Sequence, residues 1–500
     1  MKKSTLALLL PFLIACVPST SFSESLPSSS QWTTLESEPE YISFWQPIQK
    51  SISLLLQPET LQWIETYGAE KNSPTNEYYF PITLVVTMQE TTYTLENVGI
   101  RQKGNIFSRG TFLNEDGELF YPFHFRLSFD QTFDDPFYDE LGIRKPWQNG
   151  QPEYEAQQKR RLFGMKSLEF KWNRSYDSSL INQPFASTLF AASDVIAPRS
   201  TLSPISIHVA ETTLPLGMYI INEAVDHIFI QRHFAGPHAE GDLYKALYPN
   251  NLLLDEMAHF DSSIGDYVFN EWMVGVENNQ EGYHPVYDLK TNQETSSHEA
   301  LMKLVKTFKS IRLYNDQDRL SSVLDIPAFI RYVSTSFLVG NPDDMRNNQN
   351  NSYIYFDGVT QQATIIPYDN DWSLGVTWDE SLTQWTATKS PFESVNSFSQ
   401  PIQNPLFWVT VIPSDGSLSS QLYPLVPSIY DMYVESLIEL SESLYFTETA
   451  YQSLFDSYRL LYEDVYVEIT LPNPSRFESI DAFLYHAHPI QATLTSLSTA

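Results

Sequence analysis

The sequence predicts an α+β protein with a β-rich N-terminal part and a mainly helical C-terminal part. Short β-prone runs separated by turn residues begin at Tyr78, and apolar positions recur at helical spacing from about residue 420. No internal repeat links the two textures, so strands and helices are segregated rather than alternating. The 500 residues are 42% hydrophobic and 14% aromatic, enough for a large buried core.

The chain starts with Met1-Lys2-Lys3 and an apolar run, Leu6 to Ile14, that is too short to span a bilayer. The run ends at Leu13-Ile14-Ala15-Cys16, which resembles the lipobox of bacterial lipoproteins. That resemblance implies a signal peptide over 1–15 and acylation of Cys16 as the mature N-terminus. Cys16 is the only cysteine, so no disulfide forms within the chain and no other thiol serves catalysis or a metal. Residues 16–40 are rich in Ser, Thr, Pro and Glu and read as a flexible tether. Val17 resembles the residue after the cysteine in lipoproteins sorted to an outer membrane. The expected location is therefore the cell envelope, anchored by lipid, on the outer-membrane or periplasmic side. The net charge of −31, from 61 acidic and 30 basic residues, disfavours nucleic acid and anionic membrane surfaces as partners.

Order is expected to begin near Ile42 to Trp63. Strands are predicted in 78–88, 91–105 and 119–130, followed by a polar, Pro-containing insertion over about 131–160. Further strands are expected in 163–172, Ser203 to His208 and Gly217 to Asn222, with a helix from Ser178 to Ala192 between them. Val323, Ile326, Phe329, Ile330, Val333, Phe337 and Leu338 fall at helical spacing, with Asp325 placed as a cap and Pro327 in the first turn. A loop dense in Asp and Asn follows. Two short strands, 354–356 and 363–368, then surround a turn at Asp357-Gly358 and lead into Asp369-Asn370-Asp371 and Gly375. Two acidic loops thus come to one end of a hairpin. Hard oxygen ligands of this kind suit magnesium with phosphate. Asp and Asn are also simply good turn formers, and both readings stay open at this point. The pairs His227/His233 and His486/His488 lack carboxylate or Cys company at ligand spacing, so no zinc site is expected.

Several motifs occur in order between about 80 and 380. They are Val98-Gly99-Ile100-Arg101-Gln102-Lys103-Gly104-Asn105, Phe163-Gly164-Met165-Lys166-Ser167-Leu168, and Asp177-Ser178-Ser179-Leu180. Ala197-Pro198-Arg199, Gly217-Met218-Tyr219 through Glu223, and Gly241-Asp242-Leu243-Tyr244-Lys245 come next. Last are Gly340-Asn341 with Asp343/Asp344, Asn351-Ser352-Tyr353-Ile354-Tyr355, and Pro367-Tyr368-Asp369-Asn370-Asp371-Trp372-Ser373-Leu374-Gly375. Together they resemble the CotH kinase family, the spore-coat-protein-H-like atypical protein kinases.

The resemblance implies an atypical protein-kinase-like two-lobed fold over 41–380, with 381–500 as a C-terminal helical extension packed on the C-lobe. It implies a phosphotransferase that uses ATP and Mg2+ (or Mn2+) to phosphorylate Ser or Thr of an exported or surface protein. Asp344, or its neighbour Asp343, would be the base for the incoming hydroxyl, and Asn351 a metal ligand. Asp369 with Asp371 would hold the metal, and Gly375 would close that loop. Gly104 and Asn105 would admit the nucleotide to the backbone. Arg101, Lys103, Lys166 and Lys245 are the available cations. Glu223 would contact the nucleotide base or link the lobes, or else form a structural pair with a nearby cation.

The sequence departs from the family pattern on the cationic side. Only Arg126 is charged in Tyr121 to Phe129, and Ile181-Asn182-Gln183 stands where the family has Leu-Arg-Glu or Leu-Arg-Asn, with a Gln that cannot pair ionically with a phosphate-binding Lys. Two other functions therefore remain: a catalytically inactive kinase-like surface lipoprotein used for binding or assembly, and a carboxylate-site hydrolase built on Asp343/Asp344. In the hydrolase, Trp372, Trp378 and Trp385 would stack sugars.

Overall fold

Alternating apolar residues in the N-terminal strands turn one face of each strand inward, and the sheet they form closes on itself. The computed structural model describes residues 39–374 apart from 72, 106–107, 112–122, 144, 173–176, 178, 248–257, 315–316, 342 and 346–349. It also describes short strands between 396 and 424 and the helices from 427 to 468. Cys16 with the expected signal peptide and tether, Gly375, Trp378, Trp385 and the His486/His488 pair lie outside the described residues.

The strands are β1 (Lys50–Leu56), β2 (Phe80–Met88), β3 (Thr91–Gln102), β4 (Phe125–Ser128), β5 (Ser167–Trp172), β6 (Ser200–Val209) and β7 (Thr212–Glu223). They form a closed barrel in the order β1-β2-β3-β4-β5-β7-β6. Neighbours are antiparallel except at the seam, where β1 runs parallel to β6 with Ile52 opposite Ile205. Leu54, Leu84, Ile100, Phe125, Phe170 and Ile207 fill the interior. The β-rich N-terminal part is thus a barrel rather than an open sheet. Period-two patterning shows which face of a strand is buried but not which strand lies next to it.

A second sheet is built from β8 (Leu243–Ala246), β11 (Val274–Gly275), β12 (Tyr287–Leu289), β13 (Ser352–Phe356) and β14 (Ala363–Pro367), in the order β11-β12-β8-β13-β14. A separate hairpin, β9 (Ala258–Asp261) with β10 (Asp266–Phe269), flanks it. One face of this sheet joins a second core through Tyr244, Ile354 and Phe356, together with a helix over Ile326–Val339 and the outward-facing Leu202, Met218 and Ile220 of the barrel. Mixed helix and strand content agrees with the α+β expectation.

The helix Ile326–Val339 has Asp325 as its N-cap, accepting from Ala328 N at 3.0 Å, and ends on the left-handed Gly340. It starts just after Val323, which packs into the same core from the preceding turn. The expected helix from Ser178 begins instead at Asn182, because the Asp177 carboxylate accepts from Ser179 N and Asn182 N, both at 2.9 Å, and holds an Asx-type turn. The 131–160 insertion holds two short helices, Pro136–Glu140 and Pro152–Gln158. Pro427–Glu442 and Glu448–Glu468 are helical as the periodicity requires, and a strand pair, Trp408–Val411 with Gln421–Pro424, precedes them.

Candidate active site

Strand alternation decides what the barrel presents to the second sheet. On β5, Leu168 and Phe170 enter the barrel core, so Glu169 and Lys171 stand on the outer wall. Arg126 lies opposite Glu169 in the register, and Arg101 opposite Arg126. The second sheet puts Lys245 beside Tyr353, and β14 leads into Tyr368 and the acidic loop.

Glu169 is the hub of this wall, with 5% of its side chain exposed. It pairs with Lys103, accepts from Tyr368 Oη at 2.8 Å, and has Arg126 at 3.8 Å. Lys103 also donates to Tyr368 Oη at 2.8 Å. The Tyr368 ring lies 5.2 Å from the Lys245 ammonium and 5.5 Å from that of Lys103. Burial alone would raise the Glu169 carboxyl, but Lys103 and Arg126 outweigh it and hold it at about 2. Burial lowers the Lys103 ammonium to about 8 against the pull of Glu169, and Lys245 adds to the shift. The asymmetry has a simple cause. The carboxylate faces several cations, whereas Lys103 has Lys245 close by as well as Glu169.

Asp369 and Asp371 sit next to this hub. Lys171 hydrogen-bonds Asp369 and lies 2.9 Å from Asp371. Burial disfavours ionisation of both acids, yet Lys171 holds Asp369 well below the usual carboxylate range. Burial and the charge on Asp369 push Asp371 up to about 7. Asp369 has φ +60°, a left-handed conformation that Asp tolerates better than most residues.

The other acidic loop is tied to the same point. Asn341, at the end of the helix Ile326–Val339, donates from Nδ2 to Asp369 O and Asn370 Oδ1, each at 3.3 Å, and its Oδ1 accepts from Asp343 N at 2.9 Å. Asn351, with φ +53°, donates from Nδ2 to Asp343 Oδ2 at 2.9 Å, while its carbonyl accepts from Tyr368 N at 3.1 Å. Asp344 is buried beneath, and its carbonyl accepts from Asn350 N at 3.4 Å. The open end of the β13–β14 hairpin therefore carries two acidic loops, one with Asp343 and Asn351 and the other with Asp369 and Asp371, linked through Asn341.

Other candidates fall elsewhere. Arg101 pairs with Glu77 and lies 5.0 Å from the Tyr79 ring, and Lys166 is 3.4 Å from Asp130. Glu223 lies opposite Leu168 on the inward-facing register of β7, away from the wall that bears Glu169. Its carboxylate accepts from Tyr41 Oη at 2.9 Å and from Arg199 N at 3.3 Å, with Arg232 at 3.7 Å. Gly104 and Asn105 follow Lys103 in a tight turn. Gly104 has φ +88°, and a Cβ there would lie 2.8 Å from Ser108 Cβ.

Lys171 and Glu169 were missed in the sequence, although the strand containing them was read. The signal was the period-two split of Leu168 and Phe170 from Glu169 and Lys171. Gln183, in place of an ionic residue, donates from Nε2 to Asn222 Oδ1 at 2.8 Å within the protein. Lys171 adds a cation that the motifs did not name, and both it and Lys103 act on Asp369. Among the described residues no group of three or more His, Cys, Asp or Glu gathers as a metal cluster. The hairpin instead offers two carboxylates and an amide, a hard-oxygen set suited to a cation that also takes phosphate and water oxygens. A cavity of about 550 Å³ bordered by Gln57, Trp63, Thr83 and Glu96 lies beside β1 to β3 and shares no residue with this site.

The kinase-like class of the protein comes from its family. The family model described as CotH kinase protein matches residues 141–436, and the chain belongs to that family. Membership implies nucleotide and divalent-metal use in general. No curated protein matches the chain.

Proposed function

We propose that the protein is an ATP- and divalent-metal-dependent kinase that phosphorylates Ser or Thr of an exported or surface protein. The observation that supports this reading best is that the loop of Asp343 and Asn351 and the loop of Asp369 and Asp371 leave one hairpin end, with Lys171 on the second pair and Lys103 beside Tyr368. The barrel and the second core are read as the two lobes, with the site between them.

In this reading Asp369 and Asp371, with the Asn351 amide oxygen, would hold Mg2+ or Mn2+. The bound metal would supply positive charge to the transferring phosphoryl group. Lys103, fixed by Glu169 and Tyr368, contributes a positioned ammonium to the phosphates. Asp343 is the candidate base. It is partly exposed and oriented by Asn351, whereas Asp344 is only 4% exposed and underpins the loop. Cys16 would carry the lipid, holding the body to the envelope through the 16–40 tether. The kinase reading is preferred over the inactive binding protein because neither half of the site lacks its charges.

The test is thermal unfolding of the full chain with Mg2+ or Mn2+ and ATP, beside Asp369→Asn. A ligand that binds only the folded state raises the midpoint. The wild type is expected to rise and the variant to lose most of that rise. No shift in the wild type at millimolar ATP with either metal overturns the reading.

A further inference from the structure

Resting on the kinase reading, we propose that Lys171 is the resting cation of the metal site. Its ammonium holds the place between Asp369 and Asp371 until a divalent cation displaces it, and the freed ammonium then turns to the phosphates.

Two neighbouring carboxylates repel one another, and positive charge between them relieves that repulsion. Lys171 supplies that charge to both at once. Among the described residues the neighbouring lysines are placed otherwise, since Lys103 is engaged by Glu169 and Tyr368 and Lys245 lies over the Tyr368 ring. Exposure separates the partners: Lys171 is 7% exposed and closed in against the barrel wall, while Asp369 and Asp371 are 29% and 27% exposed. The carboxylates are therefore more open to an arriving ion than the lysine is. A divalent ion on the same oxygens would repel the ammonium, so the two are mutually exclusive there. The lysine's flexible stem on a rigid strand allows it to swing away.

The displaced ammonium loses both partners unless phosphates replace them. Metal alone should therefore bind weakly, and metal and nucleotide should favour each other's binding. Lys171 is in these terms a positioning residue that makes the site ask for both ligands together.

The test is calorimetric titration of the full chain with Mn2+ in the absence of nucleotide. Lys171→Met is expected to bind Mn2+ roughly ten-fold or more tightly than wild type, since the competitor is gone. Lys171→Arg should stay near wild type, and adding Asp369→Asn to Lys171→Met should abolish the gain. Equal or weaker Mn2+ binding by Lys171→Met overturns the proposal. A measurement on wild type guards against a variant that does not fold. Labelling of Lys171 by an amine-reactive ester, read by mass spectrometry, should speed up on adding Mn2+, and an unchanged or slower rate overturns the proposal. Failure of the kinase reading looks different: Mn2+–ATP stabilisation that survives Asp369→Asn overturns that reading and this proposal with it.

Discussion

Glu169 joins Lys103, Arg126 and Tyr368 on the barrel wall, and its substitution tests the hub directly. Glu169→Gln takes the carboxylate from the partly buried Lys103, while Arg126 keeps Asp226 at 3.8 Å, and is expected to cost about 2 kcal/mol in chemical denaturation. The pH dependence has a definite sign. Glu169 titrates at about 2 in the folded protein against 4.5 ordinarily, so the unfolded chain takes up the proton first. Its contribution is complete above about pH 4.5, fades as pH falls, and is gone below about 2. A stability profile of wild type against Glu169→Gln should show the difference shrinking across that window, and a constant difference contradicts the assignment. At this scale Asp343, Asn351, Asp369 and Asp371 were legible because loop acids cluster in the sequence. Lys171 was not, because its meaning depends on β5 lying against a loop some two hundred residues later, which no local pattern shows. The outer-wall position of Glu169 and Lys171, and the inward register of Glu223, follow from alternation once the strands are placed.

The hairpin β13–β14 aims both acidic loops, and its other end is pinned where β8 begins. A Cβ on Gly241 would stand 1.7 Å from Phe356 O and 2.9 Å from Gly358 N, both backbone atoms that cannot rotate aside. Gly241→Ala must therefore push the hairpin from its neighbour. Its expected cost is about 2 kcal/mol or more, measured by denaturant midpoint, with weakened Mn2+–ATP binding as the hairpin shifts. An unperturbed midpoint would mean that the strands are less tightly apposed than described. Most elements were readable from composition and period, including this hairpin and the capped helix before it. What escaped was their pairing. Strand texture carries no record of neighbours, so a barrel and an open sheet look alike in the chain. The start of the helix at Asn182 was likewise hidden, since Asp177 competes for its first N–H groups through a side chain.

Across the whole molecule, the matched family region and the folding unit differ in extent. Residues 141–436 contain β5 to β7 but neither β1 to β4 nor the helix Glu448–Glu468. That helix fastens onto the body by tyrosine hydroxyls. Tyr451 donates to Ser179 Oγ at 2.8 Å, Tyr458 Oη and Thr201 Oγ1 are 3.0 Å apart, and Tyr462 donates to Ile48 O at 2.9 Å. A chain of 141–436 alone would expose the barrel's inner face and is expected to show no cooperative thermal transition by circular dichroism. The full chain should melt cooperatively, and a sharp transition in the fragment would refute the dependence.

The parallel seam between β1 and β6 also fixes an order of events. A chain made from its N-terminus releases Lys50–Leu56 long before Ser200–Val209 exists to meet it. In that interval β1 can pair only with β2 and presents a bare backbone edge to any other strand nearby. Closing so long a loop is slow compared with forming the hairpins on either side. Closing the barrel thus waits for the joining of its first strand to its sixth. Until that join is made, the chain is most exposed to mispairing with its own copies.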